Sequence, residues 1–256
     1  MEDELLQLAT EAARRAGALL LEHFSRPFSG ISSKSTPTDL VSDADRAADE
    51  LLTSFIGKAR PKDGIVTEES AGSKGTSGLS WVVDPLDGTI NFLFRRPAWC
   101  VSIGIEDENG GVVGVVYDPM LDELFTAVRG QGSLLNEQPM VVSSQRELSQ
   151  ALVGTGFAYD SRARSEQAVV LQRVLPEARD IRRTGSAALD LAYVACGRLD
   201  GFYEAPMEAW DRAAGVLLIR ESGGVVEDLP AAYDLSTGVI AANPVLHPAL
   251  SALVLA

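Results

Sequence analysis

The pair Asn109-Gly110 constrains the fold of this chain more than any other feature, because it sits between two apolar runs, WCVSIGIED and GGVVGVVYD. Asn-Gly fills the two-residue turns whose left-handed backbone suits a β-hairpin, so the flanking runs are expected to be antiparallel strands. Runs of the same kind lie nearby in GIVTEES, LSWVVDP and ELFTAVRG, each bounded by turn residues. A mainly antiparallel sheet is therefore expected in the first half. After residue 150 the pattern changes to strand and helix in alternation. There ALVGTGFA, DIRRTG, DGFYE and GVVED read as strands. The spans Glu166 to Leu175, Ser186 to Cys196 and Trp210 to Ser222 read as helices, the last stopped by Gly223-Gly224. The change of pattern divides the chain into halves of about 1–145 and 146–256. No linker composition separates them, so they are expected to pack as one unit.

Ahead of the strands, Asp3 to Phe24 places Leu5, Leu6, Ala9, Ala12, Ala13, Ala16, Leu19 and Leu20 on one face of an amphipathic helix with acids in its first turn. A second helix is expected from Asp43 to Lys58. Between them SRPFSGISSKSTPTD has no apolar period and reads as a loop with freedom to move. GTGFAY begins like a dinucleotide fingerprint but lacks the third glycine and a helix in the right place, and is set aside.

The formal charge of −14 argues against a basic nucleic-acid surface, since phosphate neutralisation needs clustered Lys and Arg. The acidic N-terminus has no signal-peptide pattern and no apolar run approaches membrane length, so a cytoplasmic protein without membrane contact is expected. Cys100 and Cys196 lie in apolar surroundings without partners at metal-ligand spacing, and read as buried small hydrophobes. His23 and His247 are too isolated to suggest a histidine-based mechanism.

The chemistry is carried by acids. In WVVDPLDGTINF a buried strand ends in Asp84, Pro85 is expected to stop the ladder, and an Asp87-Gly88 turn returns a second carboxylate beside the first. Two such charges repel unless a proton, a cation or a ring of donors compensates them. Thr89 would open a short helix whose free N–H groups suit phosphate. Carboxylates for a hard cation beside N–H groups for an anion form the arrangement that phosphoryl chemistry needs. Further oxygens are offered by Glu68 or Glu69 in IVTEES, by Asp211 in EAWDRAAG and by Asp45 in LVSDADRAADE. Each has an ordinary alternative: Asp211 as a helix cap, Glu68 and Glu69 as solvated surface, Asp45 as a helix-start acid. Local pattern alone does not bring them together in space.

Taken together, TEES, WVVDPLDGTINF and AWDRAAG resemble, in order, the metal-binding motifs of the inositol monophosphatase family of Mg²⁺-dependent, Li⁺-inhibited phosphatases. The likeness extends to KSTPTDLVSDADRAADELL, GVVYDPMLDELFTAVRGQGSLLN, RRTGSAALDLAYVACGRLDGFYE and ESGGVVED, about residues 5 to 245. It implies an α/β (α+β) layered α-β-α-β-α sandwich, a homodimer, and two or three Mg²⁺ per site. Glu68, Asp84 and the Leu86 carbonyl would hold one ion; Asp84, Asp87 and Asp211 would hold the second; a third touches Glu68. Thr89 with Asp45 matches the pair that positions and deprotonates the attacking water. Gly88 and Thr89 N–H groups, beside Asp87, would hold the phosphate. Glu204, Ser186 and Ala187 match the contacts to the alcohol ring, and Lys34 matches a loop lysine near the site. Ile90 and Glu208 depart from the common pattern, and Glu208 puts strict inositol specificity in question.

The implied substrate is a small phosphate monoester, with inositol 1-phosphate and related polyol or sugar phosphates first. Histidinol phosphate, fructose 1,6-bisphosphate and 3′-phosphoadenosine 5′-phosphate are alternatives within the same chemistry. Arg162, Arg164, Arg182 and Arg183 are considered for a second phosphate, with surface solvation as their ordinary role. A regulatory binding protein on the same fold is the reading from another class, since some bacterial relatives bind the transcription machinery.

Overall fold

The computed structural model describes residues 1–34, 39–229 and 237–256. Helices α1 (Glu2–Phe24) and α2 (Asp43–Ala59) pack side by side, as their apolar stripes predict. Leu5, Ala9, Ala12, Ala13, Ala16 and Leu20 of α1 are buried against one face of a seven-stranded sheet. That sheet runs in the order β3 (Gly64–Thr67), β4 (Ser80–Asp87), β5 (Cys100–Asp107), β6 (Gly110–Asp118), β7 (Glu123–Val128), β8 (Gly132–Leu135) and β9 (Gln138–Pro139). All its neighbours are antiparallel except β3 and β4. The antiparallel hairpin forms as expected, but its two-residue loop is Glu108-Asn109: Asp107 lies opposite Gly110, and Gly110, with φ of +104°, takes the left-handed position beside a register shift at Ile105 and Glu106.

The second sheet has the order β11 (Asp180–Arg182), β10 (Leu152–Thr155), β12 (Gly201–Glu204), β14 (Gly238–Ala242), β13 (Val225–Leu229). Strands β11, β10 and β12 are parallel; β14 opposes both of its neighbours. Helices α5 (Ala187–Ala195) and α6 (Ala209–Glu221) fill the space between the sheets, and α4 (Ser161–Val174) and α7 (His247–Leu255) cover the outer face. Alternation along the strands feeds these layers: Val101, Ile103 and Ile105 face α1, whereas Cys100 faces the inter-sheet helices. In β14, Val239 and Ala241 point inward and Ile240 and Ala242 outward. The result is the layered α-β-α-β-α arrangement that the resemblance implied.

Several local expectations are corrected. Pro85 does not end β4; the ladder continues to Asp87 across a bulge, its register shifting between Asp84 opposite Ser102 and Asp87 opposite Cys100. A bulge accommodates a residue that has no N–H to give. Helix α4 starts at Ser161, not near Glu166, because Asp160 accepts from the N–H groups of Arg162 and Ala163. The expected loop before α2 contains a two-residue antiparallel pair, β1 (Ser32–Ser33) with β2 (Leu40–Val41), closed by a Lys34 N–H bond to the Asp39 carbonyl. Residues 35–38 of that loop lie outside the described residues. Cys100 is buried and Cys196 half-buried, and both are free thiols. No described helix is long and apolar enough to cross a membrane.

Candidate active site

A cleft opens where the ends of β4, β10 and β12 meet the starts of α3 (Thr89–Leu93), α5 and α6. Glu68 follows β3 directly, Asp84, Leu86 and Asp87 occupy the last turnings of β4, and Gly88 and Thr89 open α3. From the second half come Ser186 and Ala187 at the start of α5, Glu204 at the end of β12 and Asp211 in the first turn of α6. All of these line the one cleft; Asp45 stands behind Thr89, 1 % exposed. Gly88 has φ of +99°, and a Cβ there would lie 2.9 Å from the Ala98 carbonyl, so glycine alone lets the chain turn so closely from β4 into α3.

Hydrogen bonds fix each carboxylate by a definite edge. Asp84 Oδ1 accepts from the Leu86 N–H at 3.0 Å. Asp87 Oδ2 accepts from the Ser186 hydroxyl at 2.6 Å and from the Ala188 N–H at 2.7 Å. Asp45 and Asp211 share one local design: each sits three places after its helix N-cap and takes the cap's own N–H on Oδ2, Ser42 at 2.9 Å and Glu208 at 2.7 Å. The helix-start reading of Asp45 is therefore correct but incomplete, whereas Asp211 is not the N-cap expected of it: Glu208 is the cap, and Asp211 answers it from three places on. Asp45 uses its other oxygen, Oδ1, to accept from the Thr89 hydroxyl at 2.9 Å. For Asp84, Asp87 and Asp211 the hydrogen bonds fall on a single oxygen, which leaves the opposite edge of each carboxylate to the cleft.

These acids stand close enough to oppose one another's ionisation. Burial, followed by the charges of Glu68, Asp87 and Asp211, pushes the Asp84 carboxyl well above the carboxylate range. Burial raises Asp87 to about 6 against the pull of its Ser186 and Ala188 bonds. Asp211 is raised by burial and then by Asp87. At the rim the Lys34 ammonium bonds Glu68 Oε1 at 2.7 Å and also bonds Glu69 Oε1. Burial would lower the Lys34 pKa, but the two glutamates outweigh it and hold it raised.

Among the described residues no three His, Cys, Asp or Glu side chains stand close enough together to hold a metal ion as they are. The donor set nevertheless fits a hard divalent cation. It is all oxygen, it is anionic, and its members converge on one cleft where only positive charge or protons relieve their repulsion. Lys34 is the positive charge that answers Glu68 here.

The far end of the cleft is built around a buried carboxylate. Glu204 lies against Gly156, where a Cβ would come within 2.0 Å of the carboxylate. Glu208 and Arg183 line the same end. All four arginines considered for a second phosphate are exposed; Arg183 lines the cleft, Arg162, Arg164 and Arg182 do not, and Arg182 pairs with Asp180 at 2.6 Å. The sequence reading missed Asp190, which also lines the cleft, is 1 % exposed and is raised to about 7 by burial. Its position four residues after the Ser186 cap, on the same helix face, was the available signal. It also missed Asn91, on α3, whose amide joins the two halves.

The profile of the inositol monophosphatase family matches residues 1–256. The Nus factor SuhB of Escherichia coli strain K12 is 43 % identical over 244 residues, which cover 94 % of this chain and 91 % of that protein. An inositol-1-monophosphatase of Mesorhizobium japonicum is 42 % identical over 250 residues, 96 % of this chain and 94 % of the relative. Among solved structures, the crystal structure of the extragenic suppressor protein suhB from Bartonella henselae superposes with a TM-score of 0.91 at 39 % identity, covering 98 % of each chain.

Proposed function

This chain belongs to the inositol monophosphatase family, and we propose that it is a Mg²⁺-dependent phosphomonoesterase that hydrolyses inositol 1-phosphate and related polyol or sugar phosphates. The observation that carries the reading is the Thr89 to Asp45 hydrogen bond, set directly behind the converging carboxylates Glu68, Asp84, Asp87 and Asp211. In this reading Glu68, Asp84 and the Leu86 carbonyl hold one Mg²⁺, and Asp84, Asp87 and Asp211 hold another. Bound Mg²⁺ supplies the positive charge that neutralises phosphate oxygens and the departing alkoxide and acidifies water.

The chain's own residues do the rest. Thr89 donates its proton to Asp45, which turns the hydroxyl's lone pairs toward the cleft. A water there passes a proton to Thr89 as the Thr89 proton moves onto Asp45 Oδ1. Ser42 on the opposite edge keeps Asp45 from turning away. The N–H groups of Gly88 and Thr89 hold the phosphate, and Glu204 accepts from a ring hydroxyl. The Ser186 hydroxyl is engaged by Asp87, so Ser186 and Ala187 act on the ring through their position at the helix start. The halves 1–145 and 146–256 work as one unit around this cleft. A cytoplasmic, Li⁺-sensitive homodimer completes the reading.

The test is phosphate release with Mg²⁺ from inositol 1-phosphate, histidinol phosphate, fructose 1,6-bisphosphate and 3′-phosphoadenosine 5′-phosphate, each with and without Li⁺. Preference for inositol 1-phosphate, lost with Li⁺, is expected; silence across the panel overturns it. The Nus factor names of several relatives favour a second, compatible role in transcription. Capture of polymerase components by an Asp87→Asn variant would support that role, and an empty capture would count against it.

A further inference from the structure

We propose that Asn91 is a positioning residue, which orients the Asp87 carboxylate for metal binding by clamping the Thr184 to Ser186 turn across the two halves of the chain. The proposal rests on the metal-dependent reading above. Asn91 lies on α3 and is 5 % exposed. Its side-chain nitrogen donates to the Ala98 carbonyl at 2.7 Å and to the Thr184 carbonyl at 3.0 Å. An amide nitrogen has two hydrogens, and both are used. The first bond fixes Asn91 within its own half; the second reaches 93 positions along the chain into the other.

What it holds there is the support of a proposed metal ligand. Gly185 turns the chain with φ of +96°, and a Cβ at this residue would lie 2.8 Å from Asn91 Nδ2, so the turn closes against the amide. The next residue, Ser186, gives its hydroxyl to Asp87 Oδ2, and Ala188 gives its N–H to the same oxygen. Asp190 also hydrogen-bonds Thr184. The turn is thus pinned between the halves, and its reach into the cleft ends on Asp87. Asn91 does not line the cleft, so its influence passes through this turn. Partners that orient a ligand from behind commonly change metal affinity by about 10–100-fold.

Calorimetric titration of Mn²⁺ into the full metal-free chain tests the clamp by a double-mutant cycle. Asn91→Ala is expected to weaken Mn²⁺ binding about tenfold, Ser186→Ala by a similar factor, and the double variant by little more than either. A purely structural Asn91 predicts losses that multiply, and that result, or wild-type affinity in Asn91→Ala, overturns the proposal. Should Asn91→Ala fail to fold, Gly185→Ala presses on the same turn with Asn91 intact and takes its place in the cycle. A wild-type chain that binds Mn²⁺ but hydrolyses no phosphate monoester would sink the phosphatase reading alone, because the cycle reads binding.

Discussion

The Thr89 hydroxyl donates to Asp45 Oδ1 at 2.9 Å while Ser42 occupies Asp45 Oδ2, so one buried carboxylate both starts helix α2 and orients the hydroxyl at the start of α3. Removing the hydroxyl leaves Asp45 half-satisfied and the cleft without its proton acceptor. Thr89→Ala is expected to lower kcat by about 10²–10⁴-fold with a smaller change in KM, whereas Thr89→Ser keeps the oxygen and most of the rate. Steady-state kinetics on inositol 1-phosphate decides; equal rates in the two variants would remove Thr89 from the mechanism.

Asp87 is buried, 9 % exposed, and bonded by Ser186 and Ala188. Asp87→Asn keeps an oxygen for both donors and removes a charge that its neighbours oppose, so the metal-free variant should melt no lower than wild type. Turnover should fall by about 10²-fold or more. Mg²⁺ should also lose much of its effect on the melting temperature. A site filled at about 100 times its dissociation constant stabilises by about 2.7 kcal/mol. Thermal melts across a Mg²⁺ series, with K⁺ at matched ionic strength as control, check both statements.

Gly156→Ala places a methyl carbon where the Glu204 carboxylate now rests. The acid must swing away from the ring it is proposed to bind. The expected outcome is a fall of about tenfold in kcat/KM for inositol 1-phosphate, with a much smaller fall for p-nitrophenyl phosphate, which carries no ring hydroxyl. Equal losses on both substrates would show that Glu204 does not discriminate.

Asp190 gives a pH dependence with a definite sign. Its folded pKa, about 7, lies above the ordinary 3.8, because burial disfavours the charge. The folded chain therefore holds a proton that the unfolded chain has released, and stability falls as pH rises from about 4 to about 7. The penalty is fully present above that window and amounts to about 4 kcal/mol at most. Asp190→Asn removes it, so the variant should gain stability relative to wild type as pH increases across the window. Denaturant melts at pH 5 and pH 8 provide the measurement, and a constant difference would disprove the assignment.

Much of the architecture was legible because hydrophobic period and turn chemistry are local. The stripe from Leu5 to Leu20 and the Asn109-Gly110 hairpin are examples. Helix α4 starts ahead of its apolar residues because Asp160 caps it, and a single capping acid is a weaker mark than a stripe. Strand β14 and helix α7 were missed: GVIAA is a short run buried throughout, with no alternation to separate strand from helix. The acids were legible as types but not as a site. Asp45 and Asp211 look like any acid in a first helical turn, and their second oxygens acquire meaning only when β4 and the inter-sheet helices bring Thr89 and Asp84 to them. Family resemblance, not spacing, supplied that convergence. Asn91 stayed hidden because its partner, Thr184, is a backbone carbonyl, and a carbonyl leaves no mark on residue identity.

Thr89, Asp45, Glu68, Asp84 and Asp87 belong to the antiparallel half, while Glu204, Asp190, Arg183 and Glu208 belong to the other, with Asp211 crossing between. In the proposed reading, bond breaking draws mainly on the first stretch of chain, with Asp211 supplied by the second, and alcohol recognition on the second alone. Substitutions at 156, 204 and 208 are expected to explore new leaving groups while leaving the proposed phosphate-binding turn at Gly88 and Thr89 in place. A scaffold so divided is readily retargeted: randomising the second half at those positions, while holding the first fixed, should yield phosphatases with shifted preferences from small libraries.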